Sequence, residues 1–377
     1  MRQMFTMIVE CCENMVLALA HPTGQECEVK DLFVRFKNDI IASCAFGVRI
    51  KSFLDKQNVF FRYGKDLTDF GRLKVFLKMM GYQMFPTLMA WLEIDIFDRK
   101  HVQFFTDLFR RSFQEREQHG LCLIFFLAGF DTIATLMSFI VYEVTMTPEI
   151  QHRLYDEILQ VSEALDGKSL TYDALQGMHY LDMVVSETLR KWPPAPSTDR
   201  QCNQDFMVTD ERDNVEIIIS KGGTVSIPIA GQHHDPKFYL DPDRFDPEQV
   251  KAIVYHLLLN FEFKRTDRTP VPVQLAKGFT PLRVENGIHR FDPERFNDEN
   301  KHKIPLGAYL PFGIGPRNCI ASRFALMEVK AIVYHLLLHY EFTRSERTPV
   351  PLKLAKGFIS MKAEKGIYLH LSPRNAE

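Results

Sequence analysis

Apolar residues recur at helical spacing over most of the first half of the chain. The opening segment, MRQMFTMIVECCENMV, has this amphipathic pattern, and charged and aromatic residues interleave in the same way from Lys30 through Gln118. An almost unbroken apolar run from about Gly120 to Thr145 then predicts a long buried helix. The pattern therefore predicts a first half built almost entirely of helices.

Capping residues mark the helices that follow. Residues 147–149, Thr-Pro-Glu, combine an N-cap residue, a proline suited to the first turn and an acid near the N-terminus, and predict a helix to about Leu165. Thr171 predicts the start of a short helix. A further helix from Tyr180 to Lys191 should end at the double proline that follows it.

Beyond that proline pair the pattern changes to short β-like runs at Phe206–Thr209, Val215–Ser220 and Thr224–Ile227. A last long helix is predicted from about Cys319 to Tyr340, and the C-terminal GIYLHL is again β-like. The fold class we predict is mainly α with small β-sheets (α+β).

The chain contains an internal repeat. Val250–Ile288 recurs at Val329–Ile367, with VKAIVYHLLL and RTPVP verbatim in both copies, and RFDPE also occurs twice. Two copies are too few for a stacked solenoid. We therefore predict one domain over residues 1–377, interrupted at 249–294 by a duplicated insert that resembles 329–367 and has no counterpart of Cys319.

Composition narrows the classes of function. A net charge of −2 gives no bulk field toward nucleic acid, so we expect no nucleic-acid partner. The 31 phenylalanines suggest an apolar interior suited to an apolar ligand. Seven cysteines, an odd number without a C-x-x-C pair, argue against a disulfide framework or zinc site and suit a reducing compartment.

The stretch Leu121–Tyr142 is apolar enough to consider as a membrane span. Asp131 and Thr132 lie near its middle, and a central Asp costs about 2.5–3.5 kcal/mol on insertion scales. We therefore predict a buried core helix, in which an ionisable residue is either satisfied structurally or functional.

The string FGIGPRNC, residues 312–319, carries the most specific chemistry. Its two glycines permit a tight loop and close approach to a flat ligand, and a helix start at Cys319 would favour a thiolate. A thiolate suits a haem iron, and Arg317 could pair with a haem carboxylate. The alternative for the cysteine alone is a small buried hydrophobe.

Two further sequence motifs become more informative when they are considered together with that loop. Glu187 and Arg190 lie three residues apart on one helix face and, with Arg295 of PERF, could form a bidentate network; alone, such a pair is usually a surface salt bridge. In the string AGFDT, Asp131 and Thr132 could relay protons to bound oxygen, or could simply satisfy a packing defect. The run His-His-Asp at 233–235 has metal-ligand spacing, although a structural role is the better prediction.

Together, A-G-x-D-T, E-x-x-R, P-E-R-F and F-G-x-G-x-R-x-C, in this order, resemble the fingerprints of the cytochrome P450 family. The segments FFLAGFDTIATLMSF and PLGAYLPFG are similar to those of insect microsomal, xenobiotic-metabolising members. The resemblance covers about Met1 to Glu248 and Arg295 to the end. It implies the cytochrome P450 fold.

The resemblance also implies a role for each matching residue. It makes Cys319 the axial ligand of haem b iron, Asp131 and Thr132 the catalytic proton-delivery pair, and Glu187, Arg190 and Arg295 a structural triad. The further residues that it places at the haem are Arg317, Arg200, Phe312, Gly313 and Ala128, and those that it places at the substrate are Phe125, Phe126, Pro196, Thr198 and Phe358.

The chain departs from the family pattern in several places. Ala321 stands where Gly is usual, and Ile133 follows the helix threonine. The membrane anchor, the first helices and the W-x-x-x-R haem-binding helix have no match, and a block is missing near 119–121. These departures predict an N-terminally truncated fold with an internal deletion as well as the insert.

The resemblance implies a monooxygenase that inserts one oxygen atom from O₂ into an apolar organic substrate, with electrons from NADPH. Its partners would be NADPH–cytochrome P450 reductase and cytochrome b5, at the cytoplasmic face of the endoplasmic reticulum membrane. A haem-thiolate isomerase is disfavoured because Thr132 is present. The alternative of another class is a non-catalytic or weakly haem-binding product of a rearranged gene.

Overall fold

The computed structural model describes residues 2–19, 26–48, 50, 52, 55, 58–68, 73–112, 119–210, 215–235, 238–239, 291–305, 307–355 and 361–374. These residues fall into two compact units, Met1–Leu181 with Ala321–Glu377, and Asp182–Ile320. Most of the insert predicted at 249–294 lies outside the described residues.

Helices make up most of the described chain. They are α1 (Arg2–Leu19), α2 (Val29–Phe46), α3 (Val59–Thr68), α4 (Leu73–Met84), α5 (Pro86–Trp91), α6 (Arg99–Ser112), α7 (His119–Met146), α8 (Pro148–Ala164), α9 (Tyr172–Gln176), α10 (His179–Lys191), α11 (Ile229–His233) and α12 (Ser322–His339). The strands are β1 (Glu26–Glu28), β2 (Thr198–Gln201), β3 (Phe206–Asp210), β4 (Val215–Ile219), β5 (Thr224–Ile227), β6 (Tyr340–Arg344) and β7 (Tyr368–Pro373). The predicted class, mainly α with small β-sheets, is confirmed.

The first unit is organised around α7. Every residue of 133–145 is buried, as expected for a helix that is apolar on all sides. Helices α2, α3, α6, α8 and α12 pack around it, and α1 packs on α2 and α12. Among the described residues no helix is both long and apolar enough to cross a membrane.

A three-stranded antiparallel sheet in the order β1-β7-β6 completes this unit. Leu369 of β7 stands opposite Cys27 of β1. The buried Gln151 side chain of α8 donates to the Phe342 carbonyl at 3.0 Å and accepts from the Phe342 N–H at 2.9 Å. That amide pair connects the helices to the sheet.

The second unit contains most of α10, helix α11 and two antiparallel strand pairs. Strand β2 pairs with β5, which places Arg200 opposite Val225, and β3 pairs with β4 as a hairpin. A short 3₁₀ turn at Pro293–Phe296 is capped by the Asp292 carboxylate, which accepts from the Glu294 N–H. The cysteine-bearing loop lies at the C-terminal end of this unit.

Local signals placed several boundaries correctly. Helix α8 begins at Pro148 as predicted, although the Thr147 side chain makes no capping hydrogen bond. Thr171 does cap α9, since its hydroxyl accepts from the Ala174 N–H at 3.1 Å. The prediction that the last helix starts at Cys319 was wrong, because α12 begins at Ser322.

Candidate functional site

A buried network centres on Glu187 of α10. Its carboxylate accepts two hydrogen bonds of 2.7 Å from the Nε and Nη2 atoms of Arg190, and both side chains are fully buried. The Asp292 N–H donates to the same carboxylate at 3.1 Å. Fork-to-fork pairing of this kind fixes both partners in orientation as well as in distance.

Arg295 joins the network more loosely. Its Nε lies 3.6 Å from Glu187 and 3.7 Å from the Asp292 carboxylate. Two of its buried guanidinium nitrogens, Nε and Nη2, have no hydrogen-bond partner among the described residues. The structure thus brings together all three residues of the predicted triad, with Arg190 hydrogen-bonded and Arg295 held by charge.

The environment of Arg190 keeps it charged. Burial alone would lower the pKa of its guanidinium, but the Glu187 carboxylate raises it above the ordinary value. The third donor, Nη1, bonds the His233 carbonyl oxygen at 2.9 Å, and the guanidinium lies over the Tyr239 ring. The groups around this buried cation therefore include a carboxylate, a carbonyl and an aromatic ring.

The His-His-Asp run at 233–235, for which we predicted a structural role, has its first histidine bonded to the backbone. Both ring nitrogens of His233 lie within hydrogen-bonding distance of backbone groups, Nδ1 of the Arg190 carbonyl and Nε2 of the Leu310 N–H. No cluster of three or more His, Cys, Asp or Glu side chains that could hold a metal ion occurs among the residues that the structure describes.

The loop that carries Cys319 is closed at its two ends. The Cys319 N–H donates to the Phe312 carbonyl at 2.8 Å, and inside the loop the Asn318 N–H donates to Gly315. Gly313 and Gly315 have φ angles of 72° and 77°, which side chains other than glycine seldom adopt. The two glycines of FGIGPRNC therefore supply the reversals that close the loop.

The Cys319 thiol is free and is the exposed one among the described cysteines. Its neighbours Ile314 and Ile320 are 48% and 82% exposed, which is unusual for isoleucine. The expected position of Cys319 at the start of the helix is corrected: a 3₁₀ turn at Gly315–Arg317 and an extended Asn318 delay the helix to Ser322. The loop presents a thiol beside apolar surface, a combination that suits a flat apolar ligand.

Arg200 of β2 reaches this loop, since its Nη2 lies 3.5 Å from the Ile314 carbonyl oxygen. Its Nη1 donates to the Thr198 hydroxyl at 3.0 Å and to the Asp199 carbonyl. The hydroxyl of Thr198, which we predicted to contact the substrate, is therefore hydrogen-bonded to Arg200, which we predicted to contact the haem. Arg317 is exposed on the same loop.

Asp131 and Thr132 belong to α7 in the other unit. The Asp131 carboxylate forms ion pairs with Lys30 at 2.9 Å and with Lys362 at 3.5 Å. Burial raises the pKa of Asp131, but the two ammonium groups outweigh it and leave that pKa below the ordinary value. The two lysines are distant in sequence from Asp131, and no motif pointed to them.

Several predicted residues lie outside what the structure describes. Phe358 and the side chains of Phe125, Phe126 and Ala128 are among them. Pro196 is half-buried, and its carbonyl accepts from the Ala230 N–H at 2.9 Å. A surface cavity of about 520 Å³ near Tyr82 and Asp95 is lined by none of the predicted residues.

Comparison with known proteins identifies the family. The sequence model of the family described as Cytochrome P450 matches residues 111–251 and 289–371. A probable cytochrome P450 9f2 of Drosophila melanogaster is 34% identical, with 100% of this chain and 71% of that protein covered. A probable cytochrome P450 9h1 of the same organism is 35% identical, with 99% and 72% covered.

A third relative, cytochrome P450 9e2 of Blattella germanica, is 34% identical over 92% of this chain and 64% of its own length. Proteins of this family are haem-thiolate monooxygenases whose haem b iron takes a cysteine thiolate as axial ligand. Both the family match and the length of the alignments lead to one conclusion. The chain belongs to the cytochrome P450 family.

Proposed function

We propose that this chain holds haem b through the Cys319 thiolate and inserts one oxygen atom from O₂ into an apolar organic substrate. The observation that carries the proposal is the exposed Cys319 thiol on a closed glycine loop. When bound, haem supplies the activation of O₂ that side chains cannot perform. The chain's own residues would hold the group, exclude water and move protons.

The residues present around the cysteine fit a haem. A haem-thiolate site requires a thiolate donor, apolar surface for the faces of the haem and cations for its two carboxylates. Cys319 offers the donor, exposed Ile314 and Ile320 offer apolar surface, and Arg200 and Arg317 offer guanidinium groups. Phe312 and Gly313 form the part of the loop that precedes the ligand.

For proton delivery we assign Asp131 and Thr132. The two ammonium groups beside Asp131 keep its carboxylate ionised, so it can take a proton from hydronium in the solvent and pass it to the Thr132 hydroxyl as that hydroxyl donates its own proton into the site. For substrate contact we assign Phe125, Phe126, Pro196, Thr198 and Phe358, which are mainly apolar, and Ala128 stays with the haem. This lining favours an apolar xenobiotic or lipid-like substrate.

Electrons would come from NADPH through cytochrome P450 reductase, with cytochrome b5 as a second donor, at the cytoplasmic face of the endoplasmic reticulum. Support for a membrane location comes from α4, α5 and the two residues that flank α5, where apolar side chains are unusually exposed: Leu77, Met84, Phe85, Leu88, Trp91 and Leu92. Trp91 is 78% exposed, and tryptophan favours the boundary between lipid and water.

Vesicle flotation tests the membrane location. The wild-type chain should float with phosphatidylcholine–phosphatidylserine vesicles, and the double variant Leu88→Ser/Trp91→Ser should float several-fold less. Leu17→Ser is the matched control, because Leu17 is a leucine on α1 that is more exposed than Leu88. Equal flotation of all three proteins would contradict a membrane contact through α5.

A second candidate function has an observation of its own. The family model leaves residues 252–288 unmatched, within the repeated segment, and its match begins only at residue 111. This gap supports the insert predicted at 249–294. The alternative is therefore a rearranged product that folds as part of a cytochrome P450 and binds haem weakly or without turnover.

The reduced, carbon-monoxide difference spectrum of the expressed chain, with haem supplied, separates the two candidates. A long-wavelength Soret band that disappears in Cys319→Ala would support the haem-thiolate monooxygenase. A short-wavelength band would show haem without a thiolate ligand. No haem band, from a chain that is folded by circular dichroism, would favour the non-catalytic product.

A further inference from the structure

The imidazole of His233 is engaged at both nitrogens by groups of fixed chemistry. His233 is the last residue of α11 and is fully buried. Nε2 lies 2.8 Å from the backbone nitrogen of Leu310, and an N–H can only donate. Nε2 must therefore be the unprotonated acceptor, so in the neutral ring the hydrogen is on Nδ1, which lies 3.2 Å from the Arg190 carbonyl oxygen and donates to it.

His233 and Arg190 are joined in both directions. The Arg190 guanidinium donates to the His233 carbonyl, while the His233 ring donates to the Arg190 carbonyl. Because Glu187 holds Arg190 by two further hydrogen bonds, the ring is fixed to the most buried ion pair of this unit. A hydrogen-bonded chain thus runs from Glu187 through Arg190 and His233 to the backbone of Leu310.

The segment 308–310 is held by neighbouring side chains as well. The Tyr239 hydroxyl donates to the Ala308 carbonyl at 3.1 Å. The Tyr309 hydroxyl donates to the Ser186 carbonyl at 3.0 Å, and its ring stacks on His233 with centroids 5.4 Å apart. Of the three side chains, only His233 satisfies the N–H of Leu310.

Leu310 is where the cysteine loop begins. Its carbonyl accepts from the Gly313 N–H at 3.1 Å. The Phe312 carbonyl then accepts from the Cys319 N–H, and this second hydrogen bond closes the loop. A shift of Leu310 would therefore carry the loop with it, since the two hydrogen bonds link consecutive parts of one short segment.

We propose that His233 is a positioning residue for the thiolate: by accepting the Leu310 N–H it anchors the start of the loop and keeps Cys319 directed at the haem iron. The inference rests on the proposed haem-thiolate function, because the loop matters through Cys319. Burial and the Arg190 charge lower the pKa of His233 to about 4, which keeps the ring neutral at physiological pH.

Three substitutions of His233 in the 377-residue chain test the role of Nε2 as hydrogen-bond acceptor. His233→Gln can place its amide oxygen near the position of Nε2, whereas His233→Asn reaches only as far as Nδ1, and His233→Phe keeps the ring without any acceptor. His335→Phe is the matched control, since His335 is also a buried histidine but lies on α12.

The first measurement is hydrogen–deuterium exchange of the Leu310 amide in the haem-free chain. We expect exchange to accelerate roughly tenfold or more in His233→Asn and His233→Phe, to stay near wild type in His233→Gln, and to be unchanged in His335→Phe. Unchanged exchange in the asparagine and phenylalanine variants would overturn the anchor.

The second measurement is the reduced, carbon-monoxide difference spectrum of the haem-loaded chain. The long-wavelength band should convert largely to the short-wavelength form in His233→Asn and His233→Phe, and His233→Gln should restore it. A purely structural role would lower yield and stability without this spectral change or its rescue by glutamine, and that outcome would overturn the proposal.

The two measurements separate the inference from the function on which it rests. A wild-type chain without the long-wavelength band would overturn the haem-thiolate function, and with it the role of the loop. The exchange rate of Leu310 would still decide whether His233 anchors that segment. Should the phenylalanine variant not fold, the asparagine and glutamine variants alone decide both questions.

Discussion

Lys30 Nζ lies 2.9 Å from Oδ1 of Asp131, and this ion pair sets the charge of the residue that we assign to proton delivery. The same ammonium group donates to the Thr135 hydroxyl at 3.2 Å. Burial lowers the pKa of Lys30, with Asp131 opposing it and Lys362 adding repulsion. The Asp131 carboxylate thus pairs with two lysines, Lys30 and Lys362, and removing either lysine changes the pKa of Asp131.

Lys30→Met should move the pH dependence of turnover. Without this ammonium group, burial weighs more heavily and the pKa of Asp131 rises. Because the relay needs an ionised Asp131, product formation slows in acid as that carboxylate takes up a proton. In Lys30→Met this loss of rate on acidification should begin at a higher pH than in the wild type. The pH profile of turnover, measured with reductase and NADPH, checks the shift. Lys65→Met, at an exposed lysine paired with Asp31, should leave the profile unchanged.

Asp131→Asn should lower turnover by about 100-fold or more, the usual contribution of a positioned proton donor or acceptor. Substrate affinity should change little, since the carboxylate is not assigned to substrate contact. Single-turnover rates in H₂O and D₂O, with substrate affinity from spectral titration, check the prediction. Near wild-type turnover would rule out Asp131 as the relay.

The local strings of the sequence were enough to predict much of the fold. Thr171 predicted the start of α9, because a hydroxyl can cap a helix within three residues of itself. Strand β1 was missed, because it consists of three residues that pair with β7 near the other end of the chain. Short strands of this kind depend on tertiary pairing that no local pattern contains.

The contacts of the candidate site also divide into those that local spacing predicted and those that depend on tertiary packing. Glu187 and Arg190 share one turn of helix, so their spacing predicted the contact, whereas Lys30 and Lys362 reach Asp131 only through tertiary packing. The spacing at His233 allowed a metal ligand, although a structural role was the better prediction, and sequence alone does not show that both ring nitrogens face backbone groups. Contacts across the fold were predicted only where the family resemblance supplied them, as for Arg295 beside Glu187.

Arg190→Lys should destabilise the protein by about 3–5 kcal/mol despite retaining the charge. A lysine offers a single ammonium group, so the paired bonds to Glu187 and the bond to the His233 carbonyl cannot all form. Urea unfolding followed by circular dichroism measures the loss. Arg347→Lys is the matched control: its ion pair with Glu26 lies at the surface and should contribute little to the free energy of unfolding.

Lys37 of α2 and Glu328 of α12 form a second buried ion pair, with side chains 3% and 0% exposed. Burial raises the pKa of Glu328 while Lys37 opposes it, and its Oε1 has no hydrogen-bond partner among the described residues. Lys37→Met should cost about 3–5 kcal/mol, because it leaves a buried charge unpaired.

The double variant Lys37→Met/Glu328→Leu should recover stability to within about 1 kcal/mol of the wild type, since it removes both buried charges together. Unfolding of the wild type, both single variants and the double variant gives the coupling energy. Additive losses in the double variant would show that the two side chains act independently, contrary to the ion pair.

The buried His335 of α12 should make stability fall in mild acid. Burial, with repulsion from His339, lowers its pKa from an ordinary 6.5 to about 4. Between these two values the unfolded chain binds a proton that the folded chain does not, so stability falls as pH falls from about 6.5 to 4. The loss reaches about 3 kcal/mol at the lower limit.

The difference between the unfolding free energies of wild type and His335→Phe, measured by urea titration at several pH values, isolates this group. Asp39 has the opposite effect on stability: burial raises its pKa to about 6, so the destabilisation from its ionised carboxylate disappears as pH falls. Because Asp39 is present in both proteins, its contribution cancels in the difference. The variant should gain on the wild type steadily from pH 6.5 to 4 and keep a constant difference above pH 7. Parallel curves across the whole range would mean that His335 titrates normally in the folded chain.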